Sequence, residues 1–151
     1  MTPDAKPPTV TTRFRPPTPV RNEVIRASLV DRIDAVDPRF VLIHAPAGYG
    51  KSTLASQWLR ILNSRERFTV WLGLDSDYNN PAWFLAHLGE ALAQVINTSG
   101  MDIRSVYEEH PDDIERWVLP IFINLIEQQP CTVTVVLDDW HLVDSPRCHD
   151  R

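Results

Sequence analysis

Residues Phe40 to Leu54 read FVLIHAPAGYGKSTL, and the order of residue types in that stretch decides the fold. Phe40-Val-Leu-Ile-His44 is a short apolar run rich in β-branched side chains, which predicts a strand buried on both faces. It breaks into Ala45-Pro-Ala-Gly-Tyr-Gly50, where Gly48 and Gly50 permit the positive φ angles of a tight turn. Lys51 to Leu62 then predicts a helix. A strand that passes through a glycine turn into a helix offers an anion a ring of inward-pointing N–H groups and the positive end of the helix dipole.

The residue types after the turn sharpen that reading toward a phosphate chain. Lys51 can extend its ammonium between β- and γ-phosphates, and the Ser52 hydroxyl is a hard oxygen suited to Mg²⁺. The stretch fits the pattern G-x-x-x-x-G-K-[ST] of a P-loop, except that Ala45 holds the first glycine position. Candidate nucleotide contacts are therefore Pro46, Ala47, Gly48, Tyr49, Gly50, Lys51, Ser52 and Thr53. A chance glycine turn before a lysine is the plainer alternative, and the strand before it and helix after it argue against that.

A second motif lies far downstream. Thr132-Val-Thr-Val-Val-Leu137 predicts another buried strand, and it ends in Asp138 and Asp139. An isolated carboxylate is costly inside a protein, so two at a strand end suit an exposed rim facing a metal ion. This is the Walker B arrangement, with Asp138 as metal ligand through water and Asp139 as the catalytic carboxylate that orients or deprotonates water. Neighbours on a strand point to opposite faces, so both can serve one ligand only if the strand ends or twists at Asp139. A solvated Asp-Asp turn is the alternative.

Around these motifs the pattern alternates. From Val24, the residues Ile25, Leu29, Ile33 and Val36 fall on one helical face, which predicts an inward-facing stripe ended by Pro38. Phe68 to Leu74 predicts a strand, and Asp75 to Asn80 a turn. Pro81 opens a helix striped by Phe84, Leu85, Leu88, Leu92, Val95 and Ile96. A loop from Asn97 to Pro111 precedes a helix from Asp112 to Gln129, with Ile114, Val118, Ile121, Leu125 and Ile126 inward and Pro120 expected to kink or split it. Strands alternating with helices predict an α/β fold with a parallel sheet and flanking helices.

The first 22 residues are crowded with Pro3, Pro7, Pro8, Pro16, Pro17 and Pro19, and read as an extended or disordered leader. Residues 23–151 then form the domain. A net charge of −5 argues against a free-standing nucleic-acid binder, which would show a basic face. No apolar run reaches membrane length, and Cys131 and Cys148 do not make a disulfide framework, so a cytoplasmic location without membrane partners is expected. Trp58, Trp71, Trp83, Trp117 and Trp140 are scattered across different elements and read as packing rather than as a base-stacking platform. Cys131, His141, Cys148 and His149 match no zinc spacing.

Taken together, APAGYGKSTLASQW and LDDWHLV resemble the MalT-like branch of the LuxR-type transcription regulators, which belong to the signal-transduction ATPases with numerous domains. VWLGLDSDYNNPAWFLAHLGEAL and RPPTPVRNEVIRASLVDRI resemble the same family, so the likeness runs from about Arg13 to Ser145. It implies ATP and Mg²⁺ as ligands, with Lys51 and Ser52 on phosphate and metal, Asp138 on metal, Asp139 catalytic, and the segment Val24 to Arg26 near the adenine. Ala45 is no departure from that family.

The resemblance also implies a larger protein with a winged-helix segment, a sensor of helical repeats and a helix-turn-helix, so DNA would be a partner only through a part absent from this chain. It places a further strand, lying after residue 151, between the P-loop and Walker B strands. The expectation is thus an incomplete P-loop NTPase fold holding the first three core strands, prone to self-association through open edges. Weak nucleotide binding with slow or absent turnover follows. A small P-loop metabolite kinase is the rival enzyme, although no arginine cluster follows Ser52. A remnant with no activity of its own is the other rival, suggested by the ending SPRCHDR.

Overall fold

A computed structural model of the chain describes residues 11–96, 106, 109–110 and 113–144. Pro3, Pro7 and Pro8, most of the loop expected at 97–111, the side chain of Ile114, and Cys148, His149 and the rest of the terminal segment lie outside them. Among the described residues the regular elements are α1 (Ala27–Val36), α2 (Lys51–Ser64), β1 (Phe68–Gly73), α3 (Pro81–Ala93), α4 (Ile114–Glu127) and β2 (Val133–Asp138). Turns of 3-10 helix stand at Thr11–Phe14, Ser76–Asn79 and Trp140–Leu142.

β1 and β2 pair in parallel, Phe68 opposite Val133 and Gly73 opposite Asp138. Alternation along β1 builds the layers. Trp71 faces Ala55, Leu59 and Leu62 of α2. On the opposite face, Val70 joins Leu85 and Leu92 of α3 and Val118 and Phe122 of α4. Leu72, fully buried, meets Leu74, Tyr78 and Val143. The result is helix, sheet, helix: α2 covers one side of the ladder, and α3 and α4 cover the other. The expected α/β class with a parallel sheet and flanking helices is what the structure has.

The number of strands differs from expectation. Phe40–His44 is not part of the sheet, so among the described residues there are two strands rather than three. Phe40 is 81% exposed and Leu42 75%, while Val41 and Ile43 are half-buried. Ile43 reaches the cluster under α2 beside Val136, yet the backbone of this run joins no ladder. Apolar, β-branched composition favours a pleated conformation only where a neighbouring strand receives its N–H and C=O groups.

Two helices also depart from their expected form. In α1 the buried residue is Val30, whereas Ile25, Leu29 and Val36 of the expected inward stripe are exposed. That helix begins at Ala27 and closes at Asp37, which takes the left-handed conformation at φ 43°. α4 runs through Pro120 as one helix. Pro120 lies on its exposed side, where the carbonyl that loses its partner can be hydrated, while Val118, Phe122 and Leu125 face the core. Phe122 was absent from the expected stripe.

Within the proline-rich leader, Thr11–Phe14 forms a turn of helix and docks beside β1. Phe14 packs against two of the apolar clusters and sets its ring edge-on to the buried His87. Arg13 forms an ion pair with Asp75 and lies over the Tyr78 ring. Arg15 to Val20 carries no regular structure.

Candidate functional site

The corner of the molecule that gathers the sequence motifs is where α2 begins and β2 ends. Gly48 and Gly50 adopt φ of 81° and 75°, the left-handed region that a side chain would strain. Gly50 caps α2, and its carbonyl accepts the first helical bond from Leu54 N at 2.9 Å. The glycines thus turn the chain so that the helix starts at Lys51, with its unpaired N–H groups at the loop. Lys51 Nζ spans the loop, donating to the carbonyls of Ala45 at 2.9 Å and Pro46 at 3.2 Å. Pro46, Ala47 and Tyr49 are exposed on the loop, and Thr53 is half-buried in the first turn of α2.

The two motifs, separated by most of the chain, meet here. Ser52 Oγ donates to Asp138 Oδ1 at 2.9 Å. Both are hard oxygens at a helix start and a strand end, a donor pair whose chemistry fits Mg²⁺. β2 ends at Asp138, and Asp139 turns away into the left-handed region at φ 58°, donating its N–H to Asp138 Oδ1 at 3.1 Å. The break required for both carboxylates to lie at one rim is therefore present in the backbone. Asp139 is half exposed, and His141 Nδ1 lies 3.9 Å from its Oδ1. Among the described residues no group of three or more His, Cys, Asp and Glu side chains gathers as a metal site of its own.

A strap before α1 closes one side of this corner, and its central residue, Gln57, was not singled out by the sequence motifs. Gln57 is buried on α2 and uses its whole amide. Its Oε1 accepts from Arg26 N at 3.0 Å, and its Nε2 donates to Val24 O at 2.9 Å and Glu23 Oε1 at 3.1 Å. Arg60 adds two bonds to the Glu23 carboxylate, each 3.0 Å. Hydrogen bonds from Gln57 and Arg60 hold the Glu23 carboxyl below the usual carboxylate range. The strap carries the Arg26 guanidinium to Gly50, its Nη2 3.5 Å from where a Cβ on that glycine would stand. The available signal was Gln57 itself: it stands three residues after Leu54 and four before Ile61, a spacing that apolar residues usually fill on a packed helix.

These features define an α/β protein in which a glycine turn, a helix start and a strand-end carboxylate converge. Comparison with known proteins places it further. No protein-family model matches the chain. It is 43% identical over 142 residues to the serine/threonine-protein kinase PknK of Mycobacterium tuberculosis (strain ATCC 25618 / H37Rv), covering 93% of this chain and 13% of PknK. It is 34% identical over 137 residues to the HTH-type transcriptional regulator MalT of Klebsiella pneumoniae (strain 342), covering 87% of this chain and 14% of that regulator. The MalT of Vibrio parahaemolyticus is 29% identical over 134 residues. The chain is related to a segment of the MalT-like regulators, and it spans only 13–14% of the length of these relatives. No helix among the described residues is long and apolar enough to cross a membrane.

Proposed function

We propose that this chain is the nucleotide-binding segment of a MalT-like transcription regulator, a P-loop NTPase-type fold that takes Mg-ATP as a switch ligand. The observation that carries the reading is the 2.9 Å bond between Ser52 and Asp138, which joins the helix start and the strand end at one point. Around it, Gly48 and Gly50 shape a turn whose N–H groups suit phosphate oxygens. Lys51 is within reach of the same turn to neutralise phosphate charge. Ser52 and Asp138 would hold Mg²⁺, which would supply positive charge to offset that of the phosphates. Asp139, past the bend, would orient a water.

The relatives favour a portable module over a complete enzyme. The same stretch is shared by a protein named as a kinase and proteins named as transcriptional regulators, in each case as a small part of the whole. We read the role common to both as binding that changes state.

Thermal unfolding with and without Mg-ATP tests the reading, with Lys51→Ala as control. Ligand at about 100 times Kd stabilises a binder by about 2.7 kcal/mol. At this length that raises Tm by about 5–10 °C. A transition indifferent to Mg-ATP in the unaltered chain overturns the proposal.

A further inference from the structure

We propose that the cleft between α2 and β1, walled on one side by the leader, is a binding site for a small one-ring carboxylate. It is separate from the phosphate corner: no residue of Ala45–Thr53 lines it, nor does Asp138 or Asp139.

Size and apolar lining set the body of the ligand. The cleft encloses about 220 Å³. An apolar cavity of about 150 Å³ accepts benzene, so this one has room for a ring and one small substituent. Trp71 and Leu59, both buried, supply an apolar floor, and Phe14 and Pro16 of the leader supply a wall. The polar groups set the substituent. Ser56 is 3% exposed and lines the cleft, and its hydroxyl makes no hydrogen bond among the described residues. A buried hydroxyl in that state is costly unless an occupant of the space answers it. At the rim, Asn63 Oδ1 accepts from the Thr69 hydroxyl at 2.6 Å, and the Asn63 NH2 group is left to donate. Arg60 uses Nη2 for both Glu23 oxygens, at 3.0 Å each, and keeps Nη1 and Nε. Ser56, Asn63 and Arg60 therefore form a set of donors, and the two oxygens of a carboxylate are acceptors that match them. Glu23, already on the Arg60 guanidinium, repels further negative charge, which favours a monoanion over a phosphate.

Benzoate is the probe, titrated into the unaltered, isotope-labelled chain and followed by NMR. Benzyl alcohol (the ring without the charge) and acetate (the charge without the ring) are the comparators. The Trp71 indole and Thr69 amide resonances should shift along one saturable curve with Kd of about 1 mM or tighter, and both comparators should bind at least about 10-fold more weakly. Asn63→Asp removes the donor and puts a like charge at the exposed rim. It should weaken benzoate by about 10-fold or more and leave the weak benzyl alcohol binding unchanged. Ser56→Leu, which fills the cleft, should abolish both. No saturation at Trp71 up to about 10 mM benzoate means that the cleft holds water only, and the proposal falls. Benzyl alcohol bound as tightly as benzoate overturns it, because the carboxylate is then not what the site reads. Shifts lost in Lys51→Ala but kept in Asn63→Asp place benzoate at the phosphate corner and overturn it too. Should Ser56→Leu fail to fold, Asn63→Asp decides alone: undiminished benzoate binding in that variant overturns the proposal.

Discussion

Phe40–His44 and Val133–Asp138 are written in nearly the same alphabet, yet one is a strand and the other is not. Val133–Asp138 lies in register with Phe68–Gly73, and the ladder extends to Leu74 N donating to Asp138 O at 3.0 Å. Phe40–His44 touches the same core only through Ile43, and it leaves Phe40 and Leu42 facing outward. Both runs lead into one of the two sequence motifs that meet at the candidate site, so position beside a motif does not explain the difference. It shows that composition selects a conformation the chain can adopt, and that a hydrogen-bonded neighbour decides whether the conformation becomes a sheet.

The largest test of this contrast is inside the ladder. Leu72, fully buried and opposite Leu137, should cost about 2–5 kcal/mol when changed to Ala, read from urea unfolding. Next, Gln57→Ala should cost about 1–3 kcal/mol, because it strands the Arg26 N–H and the Val24 carbonyl. Protection of the Arg26 amide from hydrogen exchange should fall with it. Ser52→Ala removes the bond to Asp138 and should lower stability by about 0.5–1.5 kcal/mol while abolishing the Mg²⁺ dependence of any ATP-induced rise in Tm.

A smaller effect should follow pH. The Glu23 carboxyl is held low by Gln57 and Arg60, so its contribution is complete above the ordinary glutamate range and fades as pH falls through the lowered folded value. The Gln57 side-chain amide resonance should therefore titrate below that ordinary range, and Glu23→Gln should erase the transition. Smallest of all, Leu42→Ala should change stability by no more than about 0.5 kcal/mol. A loss at Leu42 as large as that at Leu72 would show the two runs to be equivalent and dissolve the comparison.

Much of this architecture was legible because local rules and burial agreed. β1 and β2 lie where the apolar runs and the Asp pair put them, within a residue or so, and α3 opens at Pro81 as expected but ends at Ala93, three residues short of the expected Ile96. The meeting of Ser52 and Asp138 was legible only as a pair of motifs, since nothing local to either specifies the distance between them. The misread parts have physical causes. α1 carries apolar residues on a side the described fold does not cover, so periodicity alone pointed to the wrong face. Pro120 is tolerated because it sits on the hydrated side of α4. Gln57 was passed over because a glutamine on a helix ordinarily faces water, and only three partners from a distant strap justify burying it. Arg13 and Phe14 stand in a stretch whose prolines suggested an untethered tail, yet Arg13 pairs with Asp75 and Asp77 and the Phe14 ring packs edge-on to His87.

The bond between Ser52 and Asp138 joins residues 86 positions apart, and β1 meets β2 only across α3, α4 and the chain between them. Closing so long a loop is entropically costly before its contacts form, and such pairings are slow to arrive. On a chain emerging from the ribosome, the glycine turn and α2 are complete long before their carboxylate partner has been made. For that interval Ser52 lacks its bond to Asp138, and the corner acquires its second half only when synthesis has passed the end of β2.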